Sequence, residues 1–61
     1  MKYQVTVSGN VTVEVEANSP VDAETIVESA CEGKEVDGID QESVLILGSI
    51  ADWEIDSVEK V

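Results

Sequence analysis

The chain has 61 residues, with 14 acids against three lysines, no arginine and no histidine, for a formal net charge of -11. That length supports one domain of about 10 Å radius of gyration and roughly 3,800 Å² of surface, whose small core makes a deep pocket improbable. A single cysteine, Cys31, excludes an intrachain disulfide, and the charge repels nucleic acid and anionic membranes while steering the protein towards basic partners.

A hydrophobic share of 43% fits a folded domain rather than an acidic disordered tail. No apolar run approaches membrane-spanning length, and Met1-Lys2-Tyr3 leads into a strand pattern rather than a signal peptide. One unpaired thiol suits a reducing compartment, so the expected location is cytoplasmic.

Tyr3 to Val7 and Val11 to Ala17 alternate apolar and polar residues, which predicts two half-buried strands. Tyr3, Val5 and Val7 share an inner face with Val11, Val13, Val15 and Ala17. Gly9-Asn10 invites a two-residue turn, but that turn would set inward Val7 opposite outward Thr12. A three-residue loop, Ser8-Gly9-Asn10, sets Val7 opposite Val11 instead, with Asn10 or Gly9 left-handed.

Asn18 to Asp22 reads as a helix start. Ser19 caps, Pro20 takes the first turn, and Asp22 stands where a capping-box acid belongs. Ala23, Ile26, Val27, Ala30 and Cys31 form one apolar stripe, and Gly33 ends the helix. Glu35 to Ser43 reads as a polar connection. Val44-Leu45-Ile46-Leu47 lacks alternation and fits a buried strand or a short helix capped by Asp40 and ended by Gly48. We expect the strand, because Gly48-Ser49 would then turn into a last strand where Trp53, Ile55 and Ser57 alternate with Asp52, Glu54 and Asp56. The predicted fold is α+β: ββαββ or ββαβ, an antiparallel sheet with one helix packed on one face.

No catalytic constellation emerges. The serines have no histidine to activate them, and the acids are patterned to face solvent. The cluster Asp37-Gly38-Ile39-Asp40-Gln41-Glu42 has oxygen ligands but not the EF-hand spacing, so we expect a solvated connection, no metal and no cofactor. Cys31 reads as a small buried hydrophobe and Trp53 as core bulk, with an interface anchor as its other reading. If Leu45 and Leu47 lie on a strand, an apolar pair reaches the open sheet face and suits a homodimer.

The acids remain. Glu14 and Glu16 stand about 7 Å apart on their strand, as do Asp52, Glu54 and Asp56 on theirs. Glu24, Glu28 and Glu32 repeat about every 6 Å along the opposite face of the helix. Duplex DNA presents one charge per roughly 110 Å², so acids spread evenly over this surface are too sparse to match it and must cluster.

Val13-Glu14-Val15-Glu16-Ala17, Ser19 and Ala23, followed at the far end by Trp53 to Val58, resemble the small DpnD/PcfM-like proteins of phages and mobile elements. The likeness covers about half of the chain and leaves Gly33 to Ile50 unaccounted for. It implies a phage or mobile-element setting and no activity that transfers to a residue. In size and charge the chain is similar to phage anti-CRISPR and anti-restriction proteins. The expected function is therefore a non-enzymatic inhibitor whose acidic surface blocks a nucleic-acid-binding site on a host defence protein, such as a CRISPR effector. Glu14, Glu16, Asp52, Glu54 and Asp56 are the expected contact, with Glu24, Glu28 and Glu32 as the alternative patch. The other reading is a small accessory module, acidic for solubility, as a monomer or weak homodimer.

Overall fold

A computed structural model describes residues 1–61 and gives the order ββααβ. Strand β1 (Lys2–Val7) lies at the centre of a three-stranded antiparallel sheet, flanked by β2 (Val11–Glu16) and β3 (Ile55–Lys60). Helices α1 (Pro20–Cys31) and α2 (Gln41–Gly48) complete the chain. The α+β class stands, while the expected single helix is corrected to two.

The first hairpin follows its apolar rows. Val7 opposes Val11, Val5 opposes Val13 and Tyr3 opposes Val15, so the connecting loop has three residues. Gly9 takes a left-handed conformation as expected, but its companion there is Ser8 rather than Asn10. Ser8 is pinned from outside. Its amide donates to the Glu54 carbonyl at 2.7 Å, and its hydroxyl accepts from the Glu54 amide at 3.3 Å.

Helix α1 starts and stops on side-chain signals. Ser19 Oγ accepts from the Asp22 amide, and the Asp22 carboxylate accepts in turn from the Asn18 amide. At the other end Gly33 is left-handed; its amide donates to Ala30, and that of Lys34 to Ser29. This 5→2 and 6→1 pairing satisfies carbonyls that the last turn would otherwise orphan. Ala23, Val27, Ala30 and Cys31 are buried, with Ile26 half-buried, so the apolar stripe faces all three strands. Val27 is fully enclosed, a burial worth about 1.5–3 kcal/mol.

The segment expected as a strand is helix α2. Asp40 decides it: its carboxylate accepts from the Ser43 amide at 3.0 Å and the Ser43 hydroxyl at 2.7 Å, which caps the first turn. Leu47 then plugs the core with no exposed surface, Val44 packs beside it, and Leu45 and Ile46 point to solvent. Because Leu45 sits on a helix, the apolar pair imagined on the open sheet face does not exist. That face carries Lys2, Gln4, Thr6, Thr12, Glu14, Glu16, Ser57 and Glu59, which share registers across the three strands. It is polar throughout and offers no apolar seam for a dimer.

The last strand also starts later than expected. Trp53, Asp52 and Glu54 precede it, and Asp52 is left-handed in the turn that leads in. Val7 opposes Ile55 while Thr6 opposes Ser57, so Asp56 is the extra residue of a bulge. The bulge moves Ser57 outward and Val58 inward, breaking the alternation predicted from Trp53 onwards. Trp53 is half-buried and packs against the core.

The α1–α2 connection lies against the outer edge of β2. The Glu16 amide donates to the Gly38 carbonyl at 2.6 Å, supplying a partner to an edge that would otherwise stay open. A Cβ on Gly38 would stand 2.4 Å from the Glu16 carbonyl oxygen, and its φ is +92°, so only glycine fits. Val36 and Ile39 flank it and pack half-buried against the core.

Candidate binding surface

Thirteen of the 14 acids are exposed, and Asp22 is half-buried. What separates them is their neighbours. On the open sheet face, Glu16 bonds the Met1 amino group at 2.9 Å and sits across from Lys2. Glu14 and Glu59 flank Gln4 from either side, two strand spacings or about 10 Å apart. Glu59 completes this row and was not singled out from sequence, because only the pairing of β3 with β1 brings it there.

Asp52, Glu54 and Asp56 do not continue that row. They lie at the hairpin-loop end of the sheet, before and within the bulge, whereas Glu14 and Glu16 lie towards the other end. Asp56 also has structural work, since its carboxylate accepts from the Gly9 amide. The five acids expected to act as one contact are thus split between two ends of the sheet.

On the helix side the acids keep one sign. From Asp22 to Glu42 the chain carries eight acids and one base, Lys34, which is engaged with Glu32 at 3.4 Å. Asp22 and Asp40 cap their helices. Glu24, Glu28, Glu35, Asp37 and Glu42 carry carboxylates with neither a hydrogen bond nor an ion pair, as do Glu14, Asp52, Glu54 and Glu59 elsewhere, so the run of acids begun on α1 continues along the chain through the connection to the first turn of α2. From the sequence, Asp37, Asp40 and Glu42 read as a solvated connection, with metal ligation and an Asp40 helix cap as their other readings, and not as part of a binding patch. The informative signal there is the excess of eight acids over a single lysine.

Two groups are electrostatically displaced. Hydrogen bonds from the Ser43 hydroxyl and then the Ser43 amide hold the Asp40 carboxyl below the ordinary aspartate value of 3.8. Burial, followed by repulsion from Glu28 and Glu32, pushes the Cys31 thiol above 9.0 and keeps it protonated at neutral pH. That is the opposite of an activated nucleophile.

One open cleft of about 510 Å³ is present, lined by Glu35, Val36, Asp37, Ile39, Gln41 and Val44. It lies within the acidic side, between the α1–α2 connection and the start of α2. No group of three or more Asp, Glu or Cys side chains lies close enough to hold a metal ion, and no helix is long and apolar enough to cross a membrane.

The surface area of 3858 Å² gives roughly 280 Å² per acid, against about 110 Å² per charge on a duplex. Assigning half the surface to the eight helix-side acids lowers this only to roughly 240 Å². The acidic side therefore falls about twofold short of duplex density. No family model, curated protein or solved structure matches the chain.

Proposed function

We propose that this chain is a non-enzymatic binding protein whose helix-side acidic surface occupies a basic, nucleic-acid-binding site on another protein. The observation that carries this reading is the run of eight acids against one lysine from Asp22 to Glu42, in which Glu24, Glu28, Glu35, Asp37 and Glu42 carry free carboxylates. A shortfall in charge density argues against phosphate-for-phosphate mimicry and for competition at a shared basic patch. The likeness in size and charge to phage anti-CRISPR and anti-restriction proteins supports a host defence protein, such as a CRISPR effector, as the partner.

Helix energetics support the same reading over solubility alone. Glu24, Glu28 and Glu32 repel one another at four-residue spacing, and the last turn of α1 holds no base to balance its negative end. Acids placed only for solubility have cheaper positions available on the sheet and loops.

The test is displacement of DNA from a panel of basic DNA-binding nucleases, CRISPR effectors included, followed against salt. The expected result is displacement that weakens as salt rises and is lost in the triple variant E24K/E28K/E32K. Displacement that survives reversal on both faces would refute the electrostatic reading, and so would its absence across the panel.

A further inference from the structure

Within that acidic side, the cleft between the connection and α2 has a composition of its own. Val36, Ile39 and Val44 supply apolar lining, while Glu35 and Asp37 supply exposed carboxylates. Its volume of about 510 Å³ falls in the range of small-ligand clefts, about 300–1,000 Å³. Immediately along α2, Leu45 is 69% exposed and Ile46 44% exposed, on the helix face turned away from the core.

A lining that is more polar than apolar, with apolar patches set beside free carboxylates, fits one kind of side chain. Arginine and lysine lay an aliphatic stem along apolar surface while keeping a cationic head at a polar rim. A carboxylate beside apolar surface also binds a cation more strongly than a fully solvated one does, because less water screens the pair. A second copy of this chain is disfavoured, since it would bring its own charge of -11 to the same place.

We infer that this cleft is the docking site for a basic amphipathic segment of a partner protein. One arginine or lysine stem lies over Val36, Ile39 and Val44 with its cation at Glu35 and Asp37, and a neighbouring apolar residue covers Leu45. This rests on the proposed function and narrows it: the partner is recognised by apolar contact as well as by charge, at one end of the acidic side.

Two synthetic 12-residue peptides of equal positive charge test it, one an Arg/Leu amphipathic helix and the other with every Leu replaced by Ser. At about 0.15 M salt, where screening acts beyond about 8 Å, the Leu-bearing peptide should bind about tenfold tighter. Its amide shifts should concentrate between Glu35 and Ile46. L45S, at an exposed site that leaves the fold intact, should remove most of that advantage, and E35K/D37K should weaken both peptides. E14K/E59K, on the opposite face, should change neither. Equal binding of the two peptides, shifts spread over all acidic surfaces, or no binding would each overturn the cleft. DNA displacement by L45S and E35K/D37K separates the two ideas. Displacement that persists in these variants but is lost in E24K/E28K/E32K sinks the cleft and leaves the acidic surface standing. A wild-type protein that binds the peptides at the cleft yet displaces no DNA leaves the cleft standing and sinks the competition.

Discussion

Gly33 and Gly38 share a left-handed backbone and differ in what surrounds them, which makes them a matched pair. At Gly33 an added Cβ meets nothing within 4 Å, so alanine suffers only the backbone penalty, about 1–2 kcal/mol. At Gly38 the same methyl would meet the Glu16 carbonyl oxygen at 2.4 Å and the Ile26 side chain at 3.3 Å. Backbone cannot rotate aside as a side chain can, so the connection must leave the β2 edge and give up the Glu16–Gly38 hydrogen bond. Gly38→Ala should therefore cost about 3 kcal/mol or more, against about 1–2 for Gly33→Ala. In a domain of this size, whose core rarely supplies more than about 3–5 kcal/mol, the first variant should be largely unfolded and the second folded. Urea titration followed by Trp53 fluorescence reads both, and equal midpoints would contradict the clash.

Among the elements, those set by local chemistry were legible and those set by long-range pairing were not. The hairpin register followed from two rows of valines that must share a face, and α1 from Ser19, Pro20 and Gly33. Helix α2 was ambiguous because Val44 to Leu47 carries neither a two-residue nor a clear 3.6-residue period. The deciding group is Asp40, visible in the sequence but outweighed there by the hairpin turn that Gly48-Ser49 offers into the last strand. The bulge at Asp56 had no local signal, since it arises where β3 meets the Ser8 turn; Glu59 and the split of Asp52, Glu54 and Asp56 from Glu14 followed from the same pairing.

The cap on α2 has a pH signature. Folding holds the Asp40 carboxyl below its ordinary 3.8 through the two Ser43 hydrogen bonds. A depressed value means that this group stabilises α2 above the unfolded aspartate value, and that the contribution disappears as pH falls through the lower folded value. In acid, α2 should fray while β1 and β2 persist, because general protonation relieves charge repulsion elsewhere. Carbon shifts of Ser43 to Leu47 between about pH 6 and pH 2 should report a transition below 3.8 in the wild type. Asp40→Asn keeps an amide oxygen that caps about as well and does not titrate, so its α2 transition should vanish. Persistence of the transition in that variant would assign it to another group.

At the scale of the whole molecule, the charge works against the fold. The body measures 27 × 23 × 16 Å, smaller than the roughly 30 Å Debye length at 0.01 M salt, so there every acid feels all the others. Near 1 M, where that length is about 3 Å, each feels only its nearest neighbours. Sodium chloride should therefore raise the melting temperature, by about 4–8 °C for each kcal/mol of repulsion it screens. Glu28 concentrates this effect, lying four residues from both Glu24 and Glu32 near the negative end of α1. Glu28→Lys turns two repulsive pairs into two attractive ones and places a cation where the helix dipole favours it. The gain should be about 1–2 kcal/mol at low salt, and it should shrink as salt rises. The same variant separates function from solubility. If acids on α1 serve only to keep the protein dispersed, Glu28→Lys should be more stable and otherwise unchanged in the nuclease assay. If they form the binding surface, the more stable protein should displace DNA less well, because an activity that depends on clustered like charge is purchased with stability. Thermal melts at two salt concentrations beside the displacement assay give both readouts on one variant. Stability and displacement that rise together would refute a binding role for the α1 acids.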